Sequence, residues 1–150
     1  GKMKTFVVKV PAGIRNQEKI RLIGQGKAGI NGGKNGDLFI KVNIQNSKRF
    51  RLEGIDLYTD LRLTPWEAAL GTRATIDTID DTASVYVPKG IESGEKVRIQ
   101  GKGYKDGKGG RGDLIAEVKI IVPKELTTEE EKLYKELEQI SSFNPRKRAN

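Results

Sequence analysis

The sequence predicts a mainly β protein that carries two copies of one strand-rich unit and ends in a single long helix. Three observations predict it. Residues 8–26, VKVPAGIRNQEKIRLIGQG, match residues 85–103, VYVPKGIESGEKVRIQGKG, at ten of nineteen positions and an offset of 77. Residues 35–44, NGDLFIKVNI, match residues 111–120, RGDLIAEVKI, at an offset of 76. Apolar side chains alternate through both copies, which is the period of a half-buried strand. Self-similarity of this kind marks a duplicated supersecondary unit.

In each copy, Val8 and Val10, or Val85 and Val87, predict the first strand. Pro11 and Pro88 end it, because proline offers no N–H to a ladder. Gly13 and Gly90 supply the turn. Lys19-Ile20-Arg21-Leu22 and Lys96-Val97-Arg98-Ile99 alternate again. After a glycine-rich connection, Leu38, Ile40, Val42 and Ile44 share one face of the next strand. Leu114, Ala116, Val118 and Ile120 do the same in the second copy. Between the copies, LTPWEAALG (63–71) predicts a short helix. Thr64 is its N-cap, Pro65 its first residue, Glu67 lies three after the cap and Gly71 stops it. Trp66 is expected in the core, docking that helix on its sheet. ELTTEEEKLYKELEQISSF (125–143) predicts the long helix. Thr127 caps it, and Glu129 to Glu131 suit the positive end of its dipole. Leu133, Leu137 and Ile140 fall on one stripe. Glu131–Lys135 and Lys132–Glu136 are i,i+4 pairs. NPRKRAN is expected to fray.

Composition narrows the function. In 150 residues, 35% hydrophobic content favours a thin or elongated arrangement over one thick core. No 18-residue apolar run predicts a membrane-spanning helix. Gly1-Lys2-Met3-Lys4 lacks the apolar region of a signal peptide and reads as the middle of a longer protein. Cysteine and histidine are absent. That excludes disulfides, Cys-His and Ser-His-Asp nucleophiles, and histidine- or cysteine-ligated zinc. A cysteine-free chain fits a reducing cytoplasm. The net charge of +8 lies entirely in residues 1–56, with 12 Lys/Arg against 4 Asp/Glu. The stretches 57–122 and 123–150 are balanced, ten against ten and six against six. A basic third suits nucleic acid or an acidic partner. Its charges are spread singly, however, so lysines that guard strand edges are the weightier reading.

Several motifs dissolve on inspection. Gly24-Gln25-Gly26-Lys27-Ala28-Gly29 fits G-x-G-x-x-G, but a dinucleotide site needs a helix next. Ile30-Asn31-Gly32-Gly33-Lys34-Asn35-Gly36 cannot form one, and the second copy, GKGYKDGKGGRGD, drops the spacing. Arg111-Gly112-Asp113 spells an integrin tripeptide, yet the first copy reads Asn35-Gly36-Asp37. The shared element is Gly-Asp-Leu at a strand entry. Asp77, Asp80 and Asp81 lack calcium-loop spacing and read as a solvated turn. No carboxylate pair stands out as acid and base. An enzyme, a cofactor and a metal are therefore not expected. The stripe Leu133, Tyr134, Leu137, Ile140, Phe143 either folds back on its own domain or pairs with a second copy.

Taken in order, VKVPAGI, KIRLIGQG, NGDLFIKV, FRLEGIDLY, LTPWEAALG, VRIQGKG…RGDL and VPKELTTEEEKLYKELEQ resemble the C-terminal substrate-binding region of the DnaJ family of J-domain co-chaperones. The resemblance covers essentially the whole chain. TPWEAALG and SSFNPRK are most similar to its zinc-finger-less branch, the curved DNA-binding protein A type. The resemblance implies two tandem β-sandwich-like subdomains, the first truncated. Residues 1–48 would be the second half of subdomain I and 49–122 subdomain II. Residues 123–143 would form a dimerisation helix and 144–150 a tail. The rest of subdomain I, a Gly/Phe linker and the J domain are expected upstream. Without histidine there is no His-Pro-Asp, so these residues alone are not expected to stimulate a DnaK-type ATPase.

The implied client site is Phe6, Val8, Val10 with Leu38, Ile40, Val42, two trios that alternation also puts on single faces. Plain core packing is the alternative for each; Phe6, Val8 and Ile40 are the ones assigned to a groove. The implied dimer contact is Leu133, Tyr134 and Leu137, with Ile140 on the same stripe. The implied partners are unfolded client polypeptides, a DnaK-type chaperone and a second copy of the chain, in the cytoplasm and without a membrane. The alternative function is a nucleoid-associated DNA-binding module that uses the basic first third.

Overall fold

The computed structural model describes residues 3–147. Its contacts divide the chain into residues 1–120 and residues 121–150. The first unit is mainly β. It begins with β1 (Lys19–Leu22) and β2 (Leu38–Lys41), an antiparallel pair. Then follow β3 (Arg51–Glu53), β4 (Asp56–Leu63), α1 (Pro65–Leu70), β5 (Thr72–Asp77), β6 (Thr82–Val87), β7 (Lys96–Ile99) and β8 (Leu114–Ile120). These strands make a four-stranded sheet in the order β3-β4-β8-β7 and a β5-β6 hairpin. The β4–β8 pair is parallel, which requires the long crossover through α1, β5, β6 and β7.

The core belongs to the second repeat. Leu61 and Leu63 of β4 and Ala116 and Val118 of β8 join one buried cluster with Ile76, Val85 and Val87 of the hairpin. Two sheets sharing one interior is the sandwich-like arrangement. α1 closes one end. The Thr64 hydroxyl accepts from the Glu67 N–H, and the Glu67 carboxylate accepts from the Thr64 N–H at 2.9 Å. This capping box makes a six-residue helix tenable. Ala68 is the residue that α1 buries. Trp66, expected in the core, is 47% exposed. Two residues from Ala68 is about 200° around a helix, so when one points inward the other points out.

A second departure lies in the first repeat. Residues 5–10, expected as a strand through Val8 and Val10, lie outside any strand, whereas their equivalents 82–87 are β6. The cause is the ladder. β6 pairs along its whole length with β5, and the position 77 residues before β5 precedes residue 1. Among the described residues no strand stands where β5 would, so the N–H and C=O groups of residues 5–10 join no ladder here.

The second unit contains α2 (Thr128–Ile140). Thr127 and Glu130 form its capping box, and Glu131 pairs with Lys135 at 3.1 Å. No helix among the described residues is long and apolar enough to cross a membrane.

Candidate functional site: a two-faced ribbon and an exposed helix stripe

The repeat supplies an internal reference. In the first copy Ile20 lies opposite Ile40 and Leu22 opposite Leu38. In the second, Val97 lies opposite Ala116 and Ile99 opposite Leu114, the same register. The ladder extends identically past both strands: the Gln17 N–H donates to the Val42 carbonyl as the Gly94 N–H does to Val118. The two ribbons differ in what covers them. Leu114, Ala116 and Val118 are fully buried, with Val97 and Ile99 packed beside them. Leu38, Ile40 and Val42 are only half-buried, Ile20 and Leu22 are half-buried as Val97 and Ile99 are, and none of these five first-repeat residues joins the core cluster.

The six residues expected to bind client fall into place against this reference. Leu38, Ile40 and Val42 do share one face of the ribbon. Phe6 and Val10 are exposed and Val8 is half-buried. Their equivalents, Ala83, Val85, Val87, Leu114, Ala116 and Val118, all lie in the second core or against it. An open depression of about 580 Å³ is lined by Lys4, Thr5, Phe6, Val7, Leu22 and Gln25. Of the six, Phe6 lines it; Leu22 and Val7, which sequence reasoning did not single out, line it too. The equivalent place in the second repeat, bounded by Ser84 to Tyr86 and Val97 to Gln100, is a similar depression of about 540 Å³.

The glycine-rich connection has a structural explanation. The Asp37 carboxylate accepts the Gly24 N–H at 2.8 Å and pairs with Arg21. Asp113 accepts the Gly101 N–H at 2.9 Å and pairs with Arg98 at 2.7 Å. The Gly26 N–H donates to Gly36 O at 2.8 Å, and Gly103 to Gly112 O at 2.8 Å. A Cβ on Gly26 or Gly103 would collide with the backbone of the clasping aspartate. Backbone donation, then the neighbouring guanidinium, holds both carboxyls below their ordinary value. The pattern R-x-x-G-x-G…G-D-L is thus a clasp that ties a strand exit to the next strand entry. It leaves no N–H cradle for phosphate, and Asp113 of the RGD tripeptide is used up inside it.

On the outward face of the first ribbon, Lys19 stands opposite Lys41, and Arg21 opposite Phe39, which is 57% exposed. The second repeat puts Lys96 opposite Glu117 and Arg98 opposite Ile115. The turn acids are engaged: Asp77 pairs with Arg49, Asp80 with Arg111 and Asp81 with Lys102. Among the described residues no group of His, Cys, Asp or Glu is arranged to hold a metal.

In the second unit, α2 leaves Leu133, Leu137 and Ile140 exposed, and Phe143 beyond it as well. Tyr134 is half-buried, and its buried hydroxyl has no hydrogen-bond partner. A shallow depression of about 420 Å³ runs along Glu131, Tyr134, Lys135, Leu137, Glu138, Ser141 and Phe143.

The family model described as the DnaJ C terminal domain matches residues 1–123. The chain belongs to the DnaJ C-terminal domain family. Its relatives include the curved DNA-binding protein of Pseudomonas putida strain W619, 40% identical over 143 residues. That match covers 95% of this chain and 45% of the relative. The curved DNA-binding protein of Coxiella burnetii strain Dugway 5J108-111 is 36% identical over 146 residues, 97% of this chain and 46% of the relative. The chain therefore spans less than half the length of these curated relatives. As a DnaJ C-terminal domain it carries two repeats with one clasp and one register; among the described residues the second forms a sandwich-like pair of sheets and the first a two-stranded ribbon. Its opposed lysines were not legible beforehand, because Lys19 and Lys41 lie 22 residues apart and meet only through the register.

Proposed function

We propose that this chain is a binding and dimerising part of a DnaJ-type co-chaperone, not a catalyst. It would hold unfolded or partly folded client polypeptides for a DnaK-type chaperone in the cytoplasm. The observation that carries the reading is the half-buried apolar face of the second strand of the first repeat, Leu38, Ile40 and Val42, whose equivalents Leu114, Ala116 and Val118 are fully buried. Beside it, residues 5–10 bring Phe6, Val8 and Val10 on backbone that no strand pairs. An extended client segment gains by burying apolar side chains there and by pairing with the free backbone. The test is fluorescence anisotropy with a reduced, alkylated, permanently unfolded polypeptide. Phe6→Ser, which touches no ladder, weakens binding about fivefold, from the loss of roughly 1 kcal/mol of apolar contact. Binding unchanged by Phe6→Ser rejects the site, and no binding by the parent chain rejects the client reading. Dimerisation through the α2 stripe belongs to the same reading.

A second reading is favoured by the charge distribution. Lys4, Lys9, Lys19, Lys27, Lys34 and Lys41 have no carboxylate within ion-pair distance among the described residues. Two relatives are named curved DNA-binding protein. In this reading the first repeat contacts nucleic acid, at the nucleoid, through its unneutralised cations.

A further inference from the structure

We propose that the outward face of the β1–β2 ribbon is the surface that meets a nucleic-acid phosphate backbone. Client polypeptide and nucleic acid would then occupy opposite faces of the same two strands. The proposal rests on the second reading above and assigns it a site.

Three features single out this face. First, side chains alternate across a strand. Ile20, Leu22, Leu38 and Ile40 therefore turn one way, and Lys19, Arg21, Phe39 and Lys41 the other. Second, Lys19 and Lys41 are directly opposed, and like charges directly opposite destabilise a strand pair. The second repeat has opposite charges at this place, Lys96 across from Glu117 in the same register, with the Lys96 ammonium over the Tyr58 ring. The fold can therefore balance this position, and the first repeat does not. Third, neither lysine has a carboxylate partner among the described residues, whereas Arg21 is tied to Asp37 in the clasp. Arg21 is thereby held in place beside the lysines. Two free ammonium groups on side chains rooted about 5 Å apart on adjacent strands favour a polyanion with closely spaced charges. The flat ribbon offers no helix to enter a groove and no fork of donors aimed at base edges, so the contact is to the backbone and is not sequence-specific.

The test uses the 150-residue chain and a short labelled DNA duplex, titrated by anisotropy over a range of salt. Lys19→Gln/Lys41→Gln is expected to weaken binding roughly 10- to 100-fold at low salt. It should also flatten the slope of log affinity against log salt by about 1.8, the loss of two phosphate contacts. Lys105→Gln/Lys108→Gln, the same charge change in the second repeat, should stay within about twofold of the parent if the ribbon, not net charge, decides. Equal losses in both variants, or none in the first, overturn the ribbon site while leaving DNA binding intact. No binding by the parent chain overturns the second reading and this proposal with it. Unfolded polypeptide added to the DNA complex should form a ternary complex; its displacing the DNA overturns the opposite-face arrangement.

Discussion

Replacing Leu137 by alanine tests whether α2 is a dimer seam. Leu137 is 56% exposed. Burying a leucine completely is worth about 1.5–3 kcal/mol, so covering the remaining half contributes about 1–1.5 kcal/mol. A two-fold symmetric interface uses the same patch on both protomers, which doubles the effect to about 2–3 kcal/mol. The dimer dissociation constant should therefore rise about 30- to 150-fold. Alanine is the best helix former, so α2 itself should persist, and circular dichroism will show whether it does. Sedimentation equilibrium over a wide concentration range gives the constant. A change of less than about threefold, with helix content intact, would refute the use of Leu137 in the seam. A parent chain that stays monomeric at every concentration would refute the seam altogether.

Two further expectations concern the frame that holds these surfaces. Thr64→Ala removes the hydroxyl that accepts the Glu67 N–H, leaves the bond from the residue-64 N–H to the Glu67 carboxylate, and should cost about 1 kcal/mol, or about 2–4 °C of melting temperature by calorimetry. Asp113→Asn tests the clasp through pH. The folded carboxyl lies below its ordinary 3.8, so the stability it adds is complete above about pH 4 and is lost as pH falls through the lowered folded value. The gap in urea midpoint between parent and Asp113→Asn should be constant near neutrality and close below about pH 4. A gap that persists in strong acid would mean that the clasp does not act through this charge.

How much of this was legible in the sequence depends on whether a residue's partner is local. Caps were legible, because Thr64 and Glu67, or Thr127 and Glu130, are three residues apart and the chemistry is complete within one turn. The repeat was legible as identity, and it located β1, β2, β6, β7 and β8 but not β3, β4 and β5, which lie outside the matched stretches. The strand expected at Val8 and Val10 was not realised, since alternation reports which side chains want one face, not whether a neighbouring strand exists to pair with. Trp66 was misplaced for a similar reason: a six-residue helix has one buried position, and the small Ala68 packs closer to the sheet than an indole can. The clasp was visible only as the residues R-x-x-G-x-G and G-D-L shared by the two copies. Its cause, a carboxylate reaching back thirteen residues from Asp37 to Gly24, is a tertiary fact.

The equivalence between repeats also bears on whether the first face is unfinished core or working surface. If the first repeat merely awaited the packing of the second, its apolar residues should have the sizes that the second core accepts. Most do: Val8 and Val10 answer to Val85 and Val87, Leu38 to Leu114, Val42 to Val118. Two do not. Phe6 stands where the second repeat has Ala83, and Ile40 where it has Ala116, which is fully buried. Interiors pack to crystal density, and enlarging a buried residue in a finished core typically costs about 1–3 kcal/mol through strain. A layer seated as closely as the β5–β6 hairpin, to which residues 5–10 correspond, would therefore have to make room for Phe6 within it and for Ile40 beneath it. Any layer over this ribbon must stand further off, and the added side chains then wall a depression instead of filling a core. Phe6, which lines the open depression with Leu22, and Ile40 are thus the two positions at which the first repeat departs in size from the packing of the second.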